Sequence, residues 1–251
     1  MLLVILVTVL ARVIYLAVLP ASSLSHDLYA WQKVAQVLVG GQNPYSETHL
    51  INYPPLWLQC IFVLVRVTMW TGGDSETFLI LVRTLLIACE CVCVALVLIV
   101  SARRFQSSTT LQWVGFGIAL NPVCILLSVQ HGNFDVIVGM WVLLFVLCLL
   151  DFCAAGETES WLFACLCLGL AILTKTVPFV LLPLLFYRSG RLNTKAKALG
   201  AILALGPVTL GMSVIFALAP AGVSRNVLAY RSIPGFFGIT GLVEMIGLPQ
   251  V

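Results

Sequence analysis

The chain has 251 residues, of which 61% are hydrophobic and 9% charged, and its mean hydropathy is +1.09. Such a composition cannot put a polar skin around a single core, so it excludes an ordinary water-soluble domain and predicts a polytopic, all-α membrane protein. The net charge of +3 comes from basic residues in loops between apolar runs, which gives no reason to expect a nucleic-acid partner.

Apolar runs long enough to cross a bilayer, at about 20 residues each, recur from end to end. No soluble domain fits between them, so residues 1–251 are read as one transmembrane domain. The first run, MLLVILVTVLARVIYLAVLP, has the length of a full span. An uncleaved first helix is the preferred reading, and a signal peptide ending near LPASS is the alternative. Next, SSLSHDLYAW begins at residue 22. Ser25 reads as an N-cap, and after it Leu28, Trp31, Val34, Ala35 and Leu38 share one face of a short amphipathic helix. Gln32, Lys33 and Gln36 take the other face, and Gly40 and Gly41 stop it. A helix of this kind is expected to lie along the membrane surface in the first outer loop.

Asp27 falls in the first turn of that helix, at the positive end of its dipole, which favours the carboxylate. Two readings of Asp27 stay open: a cap for the helix, or a positioned general base. Further spans are predicted over residues 78–100, 111–129, 135–152 and 198–218. Two stretches are ambiguous. Residues 53–70, beginning YPPLW, are barely long enough and carry Arg66, whereas residues 161–187 are overlong and interrupted by Lys175, Pro178 and Pro183.

Charge arbitrates, because short basic loops stay in the cytoplasm. The basic loops are SARRFQSS and YRSGRLNTKAK. Both fall inside if the 53–70 helix only dips into the membrane and the overlong stretch is two short helices turning at TKT. With the N-terminus inside, SSLSHDLYAWQK, VQHGNFD, LTKT and AGVSRNVLAYRSIPGFFG then share the external or lumenal face, where polar chemistry is expected.

VQHGNFD supplies Gln130, His131 and Asp135. The spacing of His131 and Asp135 admits two metal ligands, which do not make a site; hydrogen bonding to a polar ligand is the other reading. Lys175, between two apolar stretches, requires a cavity or an anionic partner such as phosphate, unless it snorkels to the interface. Arg83 and Glu90 sit seven apart on one span and are expected to satisfy each other or neighbouring helices. Arg225 and Arg231, in the late outer loop, suit phosphate, which arginine grips in bidentate fashion. The nine cysteines, nearly all within apolar runs, read as small buried hydrophobes.

Taken in order, HDLYAWQKVAQVLVGGQNPY, YPPLW, Arg83, NPVCILLSVQHGNFD, LAILTKTVPFVLLPLLFY and VLAYRSIPGFFG resemble the GT-C superfamily of membrane glycosyltransferases. The likeness covers about residues 20–240. It is nearest to the branch holding the dolichyl-phosphate-glucose glucosyltransferases and the bacterial polyprenyl-phosphate mannosyltransferases. The resemblance implies a GT-C-like helix bundle that moves a hexose, with inversion, from a polyprenyl- or dolichyl-phosphate donor to a glycan or lipid-linked acceptor. Asp27 matches the family's catalytic base, Lys175, Arg225 and Arg231 its donor-phosphate ligands, and Gln130 to Asp135 its second outer motif. His26, Tyr53, Gln130, His131 and Asp135 are expected to touch substrate, membrane lipid is an expected partner, and no metal or other cofactor is expected. Members carry more helices beyond this point, so the chain is expected to be either a short member or an incomplete one. The rival reading is a transporter with an intramembrane Lys, Asp and His pathway.

Overall fold

The computed structural model describes residues 1–18, 24–104, 107–187 and 189–229. Among them every regular element is a helix. The α-helices are α1 (Leu2–Val18), α2 (His26–Val39), α3 (Pro44–Glu47), α4 (Pro55–Trp70), α5 (Ser75–Arg104), α6 (Ser108–Ala119), α7 (Pro122–Ile125), α8 (Asp135–Ala155), α9 (Thr158–Thr174), α10 (Thr194–Leu218) and α11 (Pro220–Val223). Three of them, α5, α8 and α10, are long and apolar enough to cross a membrane. A fourth candidate is a broken one, in which residues Thr109–Ala119 and Pro122–His131 meet at 41°. These lengths and compositions fit an integral membrane protein.

The helices run back and forth between two ends. Near one end Tyr15 of α1, the His131–Gly132 turn, Asp135 at the start of α8 and Lys175 after α9 lie together. At the other, Arg103 of α5 pairs with Asp151 of α8. The stretch from 161 to 187 doubles back as expected. Helix α9 stops at Thr174, and a 3₁₀ helix, Val177–Phe186, returns until Trp161 Nε1 of α9 donates to the carbonyl of Leu185 at 3.1 Å. Pro178 and Pro183 offer no N–H for α-helical bonds. The 3₁₀ form rises about 2.0 Å per residue against 1.5 Å for an α-helix, so ten residues go far towards retracing the seventeen of α9.

Helix α4 keeps to the Lys175 end. A Cβ on Gly211 of α10 would meet both Leu173 of α9 and Pro55, the first residue of α4. The last residues of α4 turn through Gly72 (φ 66°) into α5, and there Gln32 of α2 donates to Ser75 Oγ at 2.5 Å. The start of α4 thus lies beside α9 and α10, and its end leads into the part of α5 that α2 touches.

The bend after α6 has a local cause. Pro122 lacks an N–H, and Val123 N–H turns to Asn121 Oδ1 at 2.9 Å. The carbonyl of Ala119 is taken up instead by Arg12, reaching across from α1. The same guanidinium donates to the Thr8 carbonyl at 3.2 Å and grips both carboxylate oxygens of Glu90 on α5, one from Nε at 2.9 Å. Arg12 is fully buried and Glu90 nearly so. Glu90 thus pairs with a neighbouring helix and not with Arg83, which donates from Nε to the Val129 carbonyl at 3.0 Å. Arg83 and Glu90 of α5 thus each reach a different helix.

Removing one partner of a buried pair leaves the other charge without compensation, at a cost of about 3–5 kcal/mol. Arg12→Met should lower the denaturant or thermal midpoint accordingly in detergent, and adding Glu90→Met should recover most of the loss. Equal midpoints for the wild type and the single variant would show that the pair does not hold the helices together.

Candidate functional site

Helix α2 is positioned by its cap. Ser25 Oγ accepts from the Leu28 N–H at 3.1 Å and donates to the His131 carbonyl at 2.7 Å, so one hydroxyl starts the helix and ties it to the turn before α8. One turn further on, Trp31 Nε1 donates to the Gly132 carbonyl at 2.9 Å. Gly132 has φ 65°, and a Cβ there would collide with Leu28, so both backbone shape and close approach call for glycine. The apolar stripe read from the sequence is buried, but against protein and not lipid: Leu28, Trp31 and Val34 are at most 1% exposed. Trp31, Tyr53 of the 53–55 turn, Trp57 of α4 and Phe134 form an aromatic cluster, with Trp57 stacked on Phe134 at 5.2 Å and 8°.

The capping oxygen is therefore that of Ser25, and Asp27 sits one residue into the helix. Its carboxylate lies 3.9 Å from His26 Nδ1; the His26 side chain is 84% exposed and that of Asp27 31%. Burial pushes the Asp27 carboxyl above its ordinary value, while His26, His131 and Lys175 pull it down and Asp135 pushes it up. The helix dipole was expected to favour ionisation. Desolvation outweighs it, and the result is a stronger base. Because folding raises this pKa, ionising Asp27 as pH rises through it works against the folded state.

Lys175 meets Asp135. Its Nζ lies 2.6 Å from Asp135 Oδ1 and 5.7 Å from the centre of the Phe134 ring. The chain is extended at Lys175 just past the C-terminus of α9, and Asp135 is the first residue of α8. Each charge is thus at the helix end whose dipole favours it. Of the sequence alternatives for Lys175, an anionic partner is the one found, and that partner is a side chain. Their side chains are 34% and 51% exposed, so the pair is open to an incoming anion.

The structure gathers His26, Asp27, His131, Asp135 and Lys175. Gln130 stands beside them, held by Tyr15 OH at 2.6 Å, and Tyr53 contributes its ring to the aromatic cluster. Arg225 is placed differently. It is exposed, its Nε donates to Asn226 Oδ1 at 3.1 Å, and it is not among the charges that act on Asp27. Arg231 lies outside the described residues. Sequence reading passed over Asn226, which is buried and clamps two segments: its Nδ2 donates to the Thr48 and Tyr45 carbonyls at 2.8 and 3.3 Å, and His49 Nδ1 lies 3.3 Å from its Oδ1. It also passed over Phe134, for which the NFD stretch was the available signal. Among the described residues no three His, Cys, Asp or Glu side chains come together as a metal-binding group. A groove of about 330 Å³ opens between α2, α4 and the start of α5, lined by Gln32, Gln36, Val65, Asp74 and Phe78 among others. Asp27 does not line it.

No protein-family model matches the chain, and neither a curated protein nor a solved structure matches it. The likeness to GT-C enzymes accordingly rests on motif order in the sequence.

Infrared titration of the carboxyl bands should find Asp27 protonating above the ordinary aspartate value. Asp135→Asn removes a neighbour that raises this value and should bring it down; Lys175→Gln removes one that lowers it and should take it up. Shifts in the opposite sense, or none, would mean that these three groups do not share one electrostatic environment.

Proposed function

We propose that the protein is an inverting glycosyltransferase of GT-C type that takes a hexose from a polyprenyl- or dolichyl-phosphate donor at the membrane edge. The observation that carries this reading is that Asp27 lies within the electrostatic reach of the Lys175–Asp135 pair at one end of an apolar bundle, each on a separately anchored element and all partly open. The acceptor hydroxyl approaches Asp27, whose carboxylate takes its proton as the oxygen attacks the anomeric carbon. The carbon–oxygen bond to the phosphate breaks on the opposite face, which inverts the configuration. The released polyprenyl phosphate carries one more negative charge than the donor did, and Lys175 lies where that charge would develop. At rest Asp135 holds the ammonium; in the complex the ammonium shifts towards the phosphate. Arg225 stands on the neighbouring surface formed by the 43–53 loop and α11, and in this scheme it meets the acceptor side of the substrate pair or a more distant phosphate oxygen.

Sidedness belongs to the same proposal. The Arg103 end carries the basic loops and faces the cytoplasm, and the Lys175 end faces outward or into the lumen. A transporter would call for polar groups lining a path through the bundle. The charged pair deep in the bundle, Arg12 with Glu90, is closed off and engaged with backbone carbonyls, which favours the enzyme.

Asp27→Asn keeps the Ser25 cap and the shape of the side chain. With membranes supplied with labelled polyprenyl-phosphate sugars, it should lower transfer by about 100-fold or more while leaving the thermal midpoint near the wild-type value. Normal turnover in this variant would remove Asp27 as the base.

Topology can be checked separately. In a background without the native cysteines, single cysteines at positions 103 and 133 would meet a membrane-impermeant thiol reagent on sealed right-side-out vesicles. Labelling at 133 and not at 103 is expected; the reverse pattern would put the site on the cytoplasmic face.

A further inference from the structure

At the Arg103 end, away from Asp27, a cleft of about 170 Å³ opens on the outside of the bundle between α9, the returning 3₁₀ segment and α10. Its walls are apolar: Leu182 and Leu185 on one side, Gly200, Ala201 and Leu205 on the other, with Trp161 at the base. Gly200 makes room for the indole, since a Cβ there would collide with the Trp161 ring. Indole Nε1 is tied to the Leu185 carbonyl at 3.1 Å, so the floor is held in place. Lys197, exposed on the first turns of α10, stands at the rim, and the lining includes no carboxylate. Arg191 and Lys195 flank it in the chain. Glu157 and Glu159 open α9 at this end, but neither lines the cleft.

We propose that this cleft is a binding site for an anionic phospholipid, with one acyl chain between the 3₁₀ segment and α10 and the headgroup phosphate on Lys197. An apolar slot open to the side of a membrane bundle suits a hydrocarbon chain. A lysine at its mouth, on the helix end that carries the basic residues, supplies charge complementarity to a headgroup of net negative charge. The inference does not depend on the glycosyltransferase reading. It needs the bundle to sit in a bilayer, with Lys197 at headgroup depth.

The full chain, purified in a neutral detergent, would be given phosphatidylglycerol or phosphatidylcholine and examined by native mass spectrometry. Wild type is expected to retain phosphatidylglycerol about fivefold better, the value of one lysine near an anionic headgroup. Lys197→Gln should bring the two lipids close to parity, and Lys197→Arg should keep the preference. Ala201→Leu narrows the cleft at an exposed position and should reduce retention of both lipids, with an unchanged thermal midpoint showing that the fold is intact. Equal phosphatidylglycerol retention in wild type and Lys197→Gln overturns the proposal, as does full retention in folded Ala201→Leu. A dimer that cross-links through position 201 and dissociates in Ala201→Leu also overturns it, because a second copy of the chain then covers the cleft.

Discussion

The guanidinium of Arg12 lies where apolar side chains surround it, and four hydrogen bonds are what allow it to remain charged there. Two go to Glu90 on α5, one to the backbone of α1 itself and one to the Ala119 carbonyl, which the Pro122 bend releases from its own helix. This contact joins three segments and sets where the broken span turns. Beyond the bend comes the π-helical turn Leu126–His131; the carbonyl of His131 receives Ser25, and that of Gly132, just after the turn, receives Trp31. The placement of α2, and so of Asp27, follows from a charge satisfied at a distance from it.

A second consequence of the same rule appears at Lys175. An ammonium at the end of an apolar helix needs a counter-charge, and the reversal of the chain there brings Asp135 to it. Both are relieved by helix dipoles and by partial exposure, in contrast with the closed pair at Arg12. Compared with each other, the buried pair serves as a strut between helices and the half-open one has charge to offer a ligand. Asp27 shares that neighbourhood, and its burial makes it a better proton acceptor than an exposed carboxylate.

The aromatic cluster links these parts. Phe134 separates Asn133, whose Oδ1 accepts from the Asp135 N–H at 2.8 Å, from Asp135 itself. Its ring packs against Trp31, Tyr53 and Trp57 while its face lies under Lys175. Displacing α4 would therefore disturb the floor beneath the ammonium as well as the seat of α2. Helix α4 thus supports the site directly.

Much of this was legible in the chain because it depends on periodicity and on local chemistry. Apolar runs marked the long helices, Ser25 and Gly40–Gly41 bounded α2, and the two basic loops implied that the overlong stretch folds back. The alternation of direction then brought residues 25–27, 130–135 and 175 to one end. Tertiary structure decided the partners. Nothing within the NFD stretch or the TKT stretch announces that Asp135 and Lys175 will pair, since a salt bridge is a property of two helix ends meeting and not of either sequence. Spacing on α5 left open whether Glu90 would meet Arg83 or a neighbouring helix, and Arg12 reached it from α1 because the two helices lie side by side there. The amphipathic pattern of α2 likewise required an apolar surface without naming it, and the bundle supplied α4 and Phe134 where lipid was expected. Hydrophobic burial is non-directional, so a sequence can show that a face must be covered while the packing of the whole chain determines what covers it.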